Sequence, residues 1–334
     1  MRRPGGVAWL ERHQVPLYLA GIASGAAVGV TVPSVVGTAE SSIEPLLGLL
    51  LYATFLGIPF ARIGEALRDW RFLTTVLAVN FVAVPLVVFT VSRLVADDQA
   101  LLIGVLFVLL TPCIDYVIVF SGLAGGATDR LLAAAPLLMI VQMLCLPAYL
   151  WFFVGTDFVR TVEFAPFAQA FVVLIVLPLI AAGLTQLASA RTRWGAVETL
   201  ATGAMVPLMV ATLAVVVASQ IAGVREQIGS LAAVIPVYVL FTLVMTVVGA
   251  AAGRVARLDA PGRRSVVFSG VTRNSLVVLP LVLALPSAYD LAPLVVVTQT
   301  LVELVVMVTF VRLIPLLIVD RRAANGVEQR GAQS

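Results

Sequence analysis

The sequence predicts an all-α membrane protein of about ten transmembrane helices, arranged as two inverted five-helix repeats with interrupted helices four and nine crossing near the midplane. Three observations predict it: long apolar runs along nearly the whole chain, arginines confined to alternate linkers, and an internal repeat with an odd number of spans per half.

Hydrophobic residues make up 61% of the chain and charged residues 12%, against roughly half and roughly a quarter in a soluble domain. The mean hydropathy is +1.08. About 20 apolar residues cross the hydrocarbon core as a helix. Helix is the expected element because lipid offers the backbone no hydrogen-bond partner. The first half contains runs at Val15 to Val35, Pro45 to Ile63, Phe72 to Val91, Ala100 to Leu123 and Leu131 to Val154. The second contains Ala165 to Ala188, Leu200 to Val224, Ile228 to Ala252, Ser265 to Leu285 and Leu291 to Val311. A short apolar coda, Leu313 to Val319, extends the last. The expected divisions are an N-terminal segment (1–14), a first repeat (15–154), a second repeat (155–319) and a polar, disordered tail (320–334). The basic start followed by an apolar run resembles a signal peptide, but it is long enough to span and nine more runs follow.

All 21 basic residues are arginine. Seventeen fall before span one or after spans two, four, six, eight and ten; three, Arg93, Arg160 and Arg225, fall on the opposite side. The positive-inside rule then puts both termini in the cytoplasm of a multi-pass plasma-membrane protein. Arginine placed in this way, at a net charge of +3, does not suggest nucleic acid.

Ala135-Pro-Leu-Leu-Met-Ile-Val-Gln142-Met-Leu144 matches Ala292-Pro-Leu-Val-Val-Val-Thr-Gln299-Thr-Leu301 without a gap, at an offset of 157. Pro16-Leu-Tyr-Leu-Ala20-Gly21 matches Pro178-Leu-Ile-Ala-Ala182-Gly183 at an offset of 162. The first pair opens spans five and ten; the second lies in spans one and six. Five spans per half require the halves to sit in opposite orientations, a design of secondary transporters whose sites lie on interrupted helices.

Three ionisable residues fall inside spans: Asp115, Arg273 and Glu303. Such groups face a partner or an aqueous cavity because burying charge in hydrocarbon is costly. Spans four and nine are equivalent, and each has a break. Pro112 removes a helical hydrogen bond in the first; Thr272, Arg273, Asn274 and Ser275 crowd the second. Cys113, between Pro112 and Asp115, is a candidate soft ligand or a small buried hydrophobe. Asp115 and Arg273 are a candidate pair. Glu303, then without an obvious partner, suits a proton carrier or a permanently protonated acid. Asn80, Pro85, Gln142 and Gln299 are weaker candidates, since amides often bond between membrane helices. The sequence holds no Walker A motif, and its one histidine, His13, lies outside the spans. ATP hydrolysis and histidine-based or zinc enzymology therefore have no support, and no cofactor is expected.

These residues resemble the arsenite efflux permeases of the arsenical-resistance type, within the bile acid:sodium symporter superfamily. The resemblance runs from about Val15 to Ile318 and is most specific at Pro112-Cys113, on through Val117-Ile-Val-Phe120 and into span five. Asn80 and Pro85 resemble the family's Asn-x-x-x-x-Pro pattern, and Leu301-Val302-Glu303 its Leu-Val-Glu motif. The resemblance implies ten helices in two inverted repeats, Cys113 as arsenite ligand and Glu303 as proton-linked carboxylate. Span nine departs from it: Arg273-Asn274-Ser275-Leu276 stands where the permeases have paired Asn and a Glu. Ser269 and Arg273 stand where sodium-coupled relatives carry Glu and Gln. Asp115 is also unusual.

The expected activity is therefore secondary active export of arsenite, or antimonite, with the proton as coupling ion. Cys113, Pro112, Asp115, Asn80, Arg273, Asn274 and Ser275 would contact substrate, and Glu303 and Asp115 would couple it. The alternative is a sodium- or proton-coupled carrier of small organic anions, with Arg273 binding a carboxylate or sulfonate. A third class is a membrane sensor or scaffold that moves no solute.

Overall fold

The structure, a computed structural model, describes residues 9–10, 13–57, 68–114, 116–155, 169, 172–189 and 203–319. The tail 320–334, the first part of span six and Asp115 lie outside the described residues. Among those described, every named element is helical.

In the first half, α1 (Gln14–Thr31) and α2 (Val36–Gly57) are joined by a 3₁₀ turn at Pro33–Val35. Helix α2 starts nine residues before the expected Pro45, which lies inside it. Its first turns are polar, with Glu40, Ser41 and Glu44 exposed. The Ser41 and Ser42 hydroxyls turn back onto the Thr38 carbonyl, so the helix forms ahead of the apolar run. Span three comprises α3 (Trp70–Ala78), a π turn (Val79–Ala83), α4 (Val84–Val91) and a 3₁₀ turn (Ser92–Val95). Span four is interrupted, as α5 (Gln99–Leu109) and α6 (Tyr116–Leu123), and span five is α7 (Thr128–Val154).

In the second half, span six is described from a π turn (Val172–Val176) into α8 (Leu177–Ser189). Span seven is α9 (Met205–Glu226), and span eight is α10 (Ile228–Ala232) with α11 (Val234–Val255). Span nine is also interrupted, as α12 (Ala260–Val271) and α13 (Ser275–Leu283). Span ten, α14 (Ala292–Leu317), takes in most of the apolar coda. Among the described residues, four apolar helical segments of 26 to 28 residues are long enough to cross a bilayer: Trp70–Val95, Thr128–Val154, Ile228–Val255 and Ala292–Leu317.

The helices form two bundles. One contains α1, α2, α8 and α9; the other contains α3 to α7 and α11 to α14. Within the first, α1 packs on α9 and α8 packs on α2. The first helix of each half thus meets the second helix of the other, an exchange that two-fold-related halves produce. Gly21, Gly25 and Gly29 form a stripe on α1. A Cβ at Gly21 would lie 2.9 Å from the Val210 carbonyl oxygen, and at Gly25 and Gly29 closer still to the carbonyls of Ala214 and Ala218. Small residues let two backbones approach where lipid gives no hydrophobic drive for association.

One end of the second bundle is tied by charge. Asp69 caps α3 and Asp259 caps α12, each carboxylate accepting a first-turn amide. Arg130, on the first turn of α7, bonds Asp259 through both Nη atoms at 2.6 and 3.1 Å, and its Nε lies 3.1 Å from Asp69. Arg264 donates to the Ile318 carbonyl past the end of α14 and to the Ala124 and Gly125 carbonyls past α6. The starts of spans three, five and nine and the ends of spans four and ten therefore share one face, matching the alternation that the arginine count implies.

Candidate functional site at the crossing of the interrupted helices

Each break leaves backbone amides and carbonyls without helical partners, which hydrocarbon would penalise. The two breaks satisfy one another. Pro112 and Arg273 form an isolated antiparallel bridge. The Cys113 amide donates to the Thr272 carbonyl at 3.3 Å, and the Asn274 amide donates to the Thr111 carbonyl at 2.9 Å. These bonds are reciprocal, so Thr111-Pro112-Cys113 corresponds to Thr272-Arg273-Asn274. The antiparallel sense is local evidence that the halves are inverted. The threonine hydroxyls match too: Thr111 donates to Phe107 O at 2.8 Å and Thr272 to Phe268 O, each four residues back.

The correspondence breaks at the central pair. Proline has no amide, so Pro112 needs no acceptor. Arg273 has one, and it donates to Glu303 Oε2 at 2.8 Å. The same oxygen accepts from Gln299 Nε2, one turn earlier on α14. The offset that matches Gln142 to Gln299 sets Leu146 against Glu303, so the carboxylate stands only in the half whose bridging residue has an amide to satisfy. The expectation of a partnerless Glu303 is corrected accordingly.

Arg273 is fully buried. Its Nη1 donates to Leu109 O at 3.2 Å; its Nη2 faces Asn80 Oδ1 at 2.9 Å, Ser269 O at 2.6 Å and Gly270 O at 2.9 Å. Leu109 ends α5, while Ser269 and Gly270 lie in the last turn of α12. The guanidinium thus answers the C-terminal carbonyls of both half-helices, where their dipoles are negative. The Phe241 ring lies 5.6 Å beneath it. Asp115, the expected partner of Arg273, is outside the described residues.

Asn80 sits in the π turn of span three, fully buried, its Nδ2 donating to Val76 O and to Ser269 Oγ at 3.0 and 2.9 Å. Asn274 Oδ1 accepts from the Val277 amide and so caps α13; its Nδ2 is buried with no hydrogen-bond partner among the described residues. Ser275 Oγ accepts from Thr300 at 2.8 Å. Cys113 is fully buried within the crossing. The structure thus brings together Asn80, Pro112, Cys113, Arg273, Asn274, Ser275 and Glu303, together with Gln299. Gln142 is buried on α7, and its Oε1 has no hydrogen-bond partner among the described residues. Sequence reasoning missed Thr300, Phe241, Thr111 and the back-bonding role of Thr272. The threonines carried a signal, since each stands directly before a break.

Beside the crossing, a void of about 10 Å³ lies between the bundles. Ile22, Leu213 and Val217 line it from the first, and Ser275, Thr300 and Leu301 from the second. Its polar wall is the Ser275–Thr300 hydroxyl pair. A larger cleft of about 270 Å³ lies within the first bundle, between α1, α2 and α9.

Two bundles, paired helix breaks and a buried polar centre at their crossing define the architecture of a membrane transporter for small solutes. The sequence agrees: the Sodium Bile acid symporter family model matches residues 44–231, more than half of the chain. The chain belongs to that family. No curated protein matches it.

Proposed function

We propose that the protein exports arsenite, and antimonite by the same chemistry, by proton antiport across the plasma membrane with both termini cytoplasmic, and so confers arsenic resistance. The observation that carries this reading is Cys113, a fully buried thiol at the helix crossing. Trivalent arsenic is a neutral hydroxide near pH 7 and a soft acid matched to sulfur. In the proposed step the thiol replaces one hydroxide: an As–S bond forms, an As–O bond breaks, and the thiol proton leaves with that hydroxide as water. The reverse step releases arsenite on the other side. The Arg273 guanidinium supports a neutral cargo over an organic anion, because both of its Nη atoms already serve neutral acceptors on Leu109, Ser269, Gly270 and Asn80. Glu303 is the proposed proton-linked group. A proton on it would weaken its acceptance from the Arg273 amide and so loosen the crossing. Everted vesicles energised acid inside should accumulate arsenite, and Cys113→Ser should abolish this; undiminished accumulation by that variant would refute the thiol step.

A further inference from the structure

We propose that Tyr149, on span five, is a positioning residue for the Asn80–Arg273 contact, acting by supplying the hydrogen bond that Pro85 withholds from the Phe81 carbonyl. Span three is a regular α-helix up to Ala78, and then one π turn takes in an extra residue: the Val84 amide reaches the Val79 carbonyl, five residues back. The α register resumes in α4, where Pro85 is the second residue. In that register the Phe81 carbonyl would meet the amide of residue 85, and proline has none. The Tyr149 hydroxyl donates to Phe81 O at 2.6 Å, from 68 positions along the chain.

This bond matters to the crossing because Asn80 lies within the π turn. Its amide is fully engaged, two hydrogens to Val76 O and Ser269 Oγ and its oxygen to Arg273. A helix that sheds or slides a π turn rotates the affected residues by about 100° per position, which would swing Asn80 away from Arg273. A carbonyl left bare in hydrocarbon favours such a shift. Tyr149 removes that incentive and ties span five to the turn. It touches neither Arg273 nor the bridge, and its effect passes through Asn80.

The test compares the full-length wild type with Tyr149→Phe, Pro85→Ala and the double variant. Tyr149→Phe should lower the melting temperature in detergent by on the order of 2–4 °C. In the Pro85→Ala background the same change should cost less than half as much, because the new amide at position 85 meets Phe81 O. Equal losses in both backgrounds overturn the proposal. If Pro85→Ala does not fold, infrared spectra with carbonyl-labelled phenylalanine decide, using Tyr149→Leu so that no labelled residue is added: this variant should move one carbonyl band to higher frequency, and an unchanged spectrum overturns the proposal. Flux separates positioning from bulk stability. Well below the melting temperature, Tyr149→Phe should slow arsenite flux several-fold, and it should add no further loss in the Asn80→Ala background. Unimpaired flux there would reduce Tyr149 to a stabilising residue and overturn its positioning role. A wild type that moves no arsenite would refute the substrate reading, and the melting and infrared arms would still decide this one.

Discussion

The Arg273 backbone amide donates to Glu303 Oε2 at 2.8 Å, and Pro112, its counterpart across the bridge, has no amide to donate. The carboxylate of span ten is thus bound up with the asymmetry of the crossing. Glu303→Gln keeps an acceptor for the Arg273 amide while removing the titrating group. It should retain the melting temperature to within a few degrees and still exchange arsenite across membranes at equilibrium, but lose accumulation driven by a pH gradient. Gradient-driven accumulation by this variant would exclude Glu303 as the coupling group.

Glu303→Leu copies Leu146, the residue at the matching position of the first half. Here it leaves the Arg273 amide buried without an acceptor, at a cost of about 1–3 kcal/mol. Thermal unfolding should place Glu303→Leu clearly below Glu303→Gln; equal stability would mean that the amide finds another acceptor.

Removing the Arg273 side chain leaves Asn80 Oδ1 and the carbonyls of Leu109, Ser269 and Gly270 facing an empty pocket. Arg273→Ala should cost about 3–5 kcal/mol, as when one partner of a buried charged network is removed. Millimolar guanidinium should restore part of the stability and flux. Arg273→Lys should not substitute, since an ammonium cannot reach acceptors spread over a planar fork. A lysine variant of wild-type stability would show that charge alone suffices at this position.

Cys113→Ser removes soft-ligand chemistry with little change of volume. Stability should fall by no more than about 1–3 kcal/mol, the cost of burying a hydroxyl, while arsenite resistance in a host lacking its own efflux pump should disappear. Full resistance would exclude the thiol as ligand.

Gly25→Val would push side-chain atoms into the Ala214 carbonyl region, where α1 and α9 meet. Overpacking of this kind costs about 1–3 kcal/mol, so the variant should melt earlier than Gly37→Val, whose site has open space around it. Equal melting temperatures would mean that the two helices can part without penalty.

Much of the fold was legible because membrane helices announce themselves locally. An apolar run of the right length needs no distant partner to be helical in lipid. The break at Pro112 was legible for the same reason, since a missing amide is a property of one residue. The span-nine break was legible from four polar side chains in sequence. The start of α2 was misread because Pro45 looks like an opening residue, whereas the polar turn before it was already helical. The partners of Glu303 were not legible. Its acceptor role depends on the Arg273 amide, which is exposed only because that segment is extended and paired with Pro112.

The sequence by itself determined the all-α membrane class, the apolar segments that can span and the places where two helices must break. All of these follow from hydropathy and backbone chemistry along the chain. Only the tertiary structure decided that the breaks satisfy each other, that Arg273 serves the carbonyls of two half-helices, and that Tyr149 stands in for the amide Pro85 lacks. The physical reason is that an unsatisfied backbone group announces its need in sequence but not its partner. Apart from the local bonds of Arg273 to Ser269 and Gly270, the partners here lie from 30 to 164 residues away, and packing alone brings them within bonding distance.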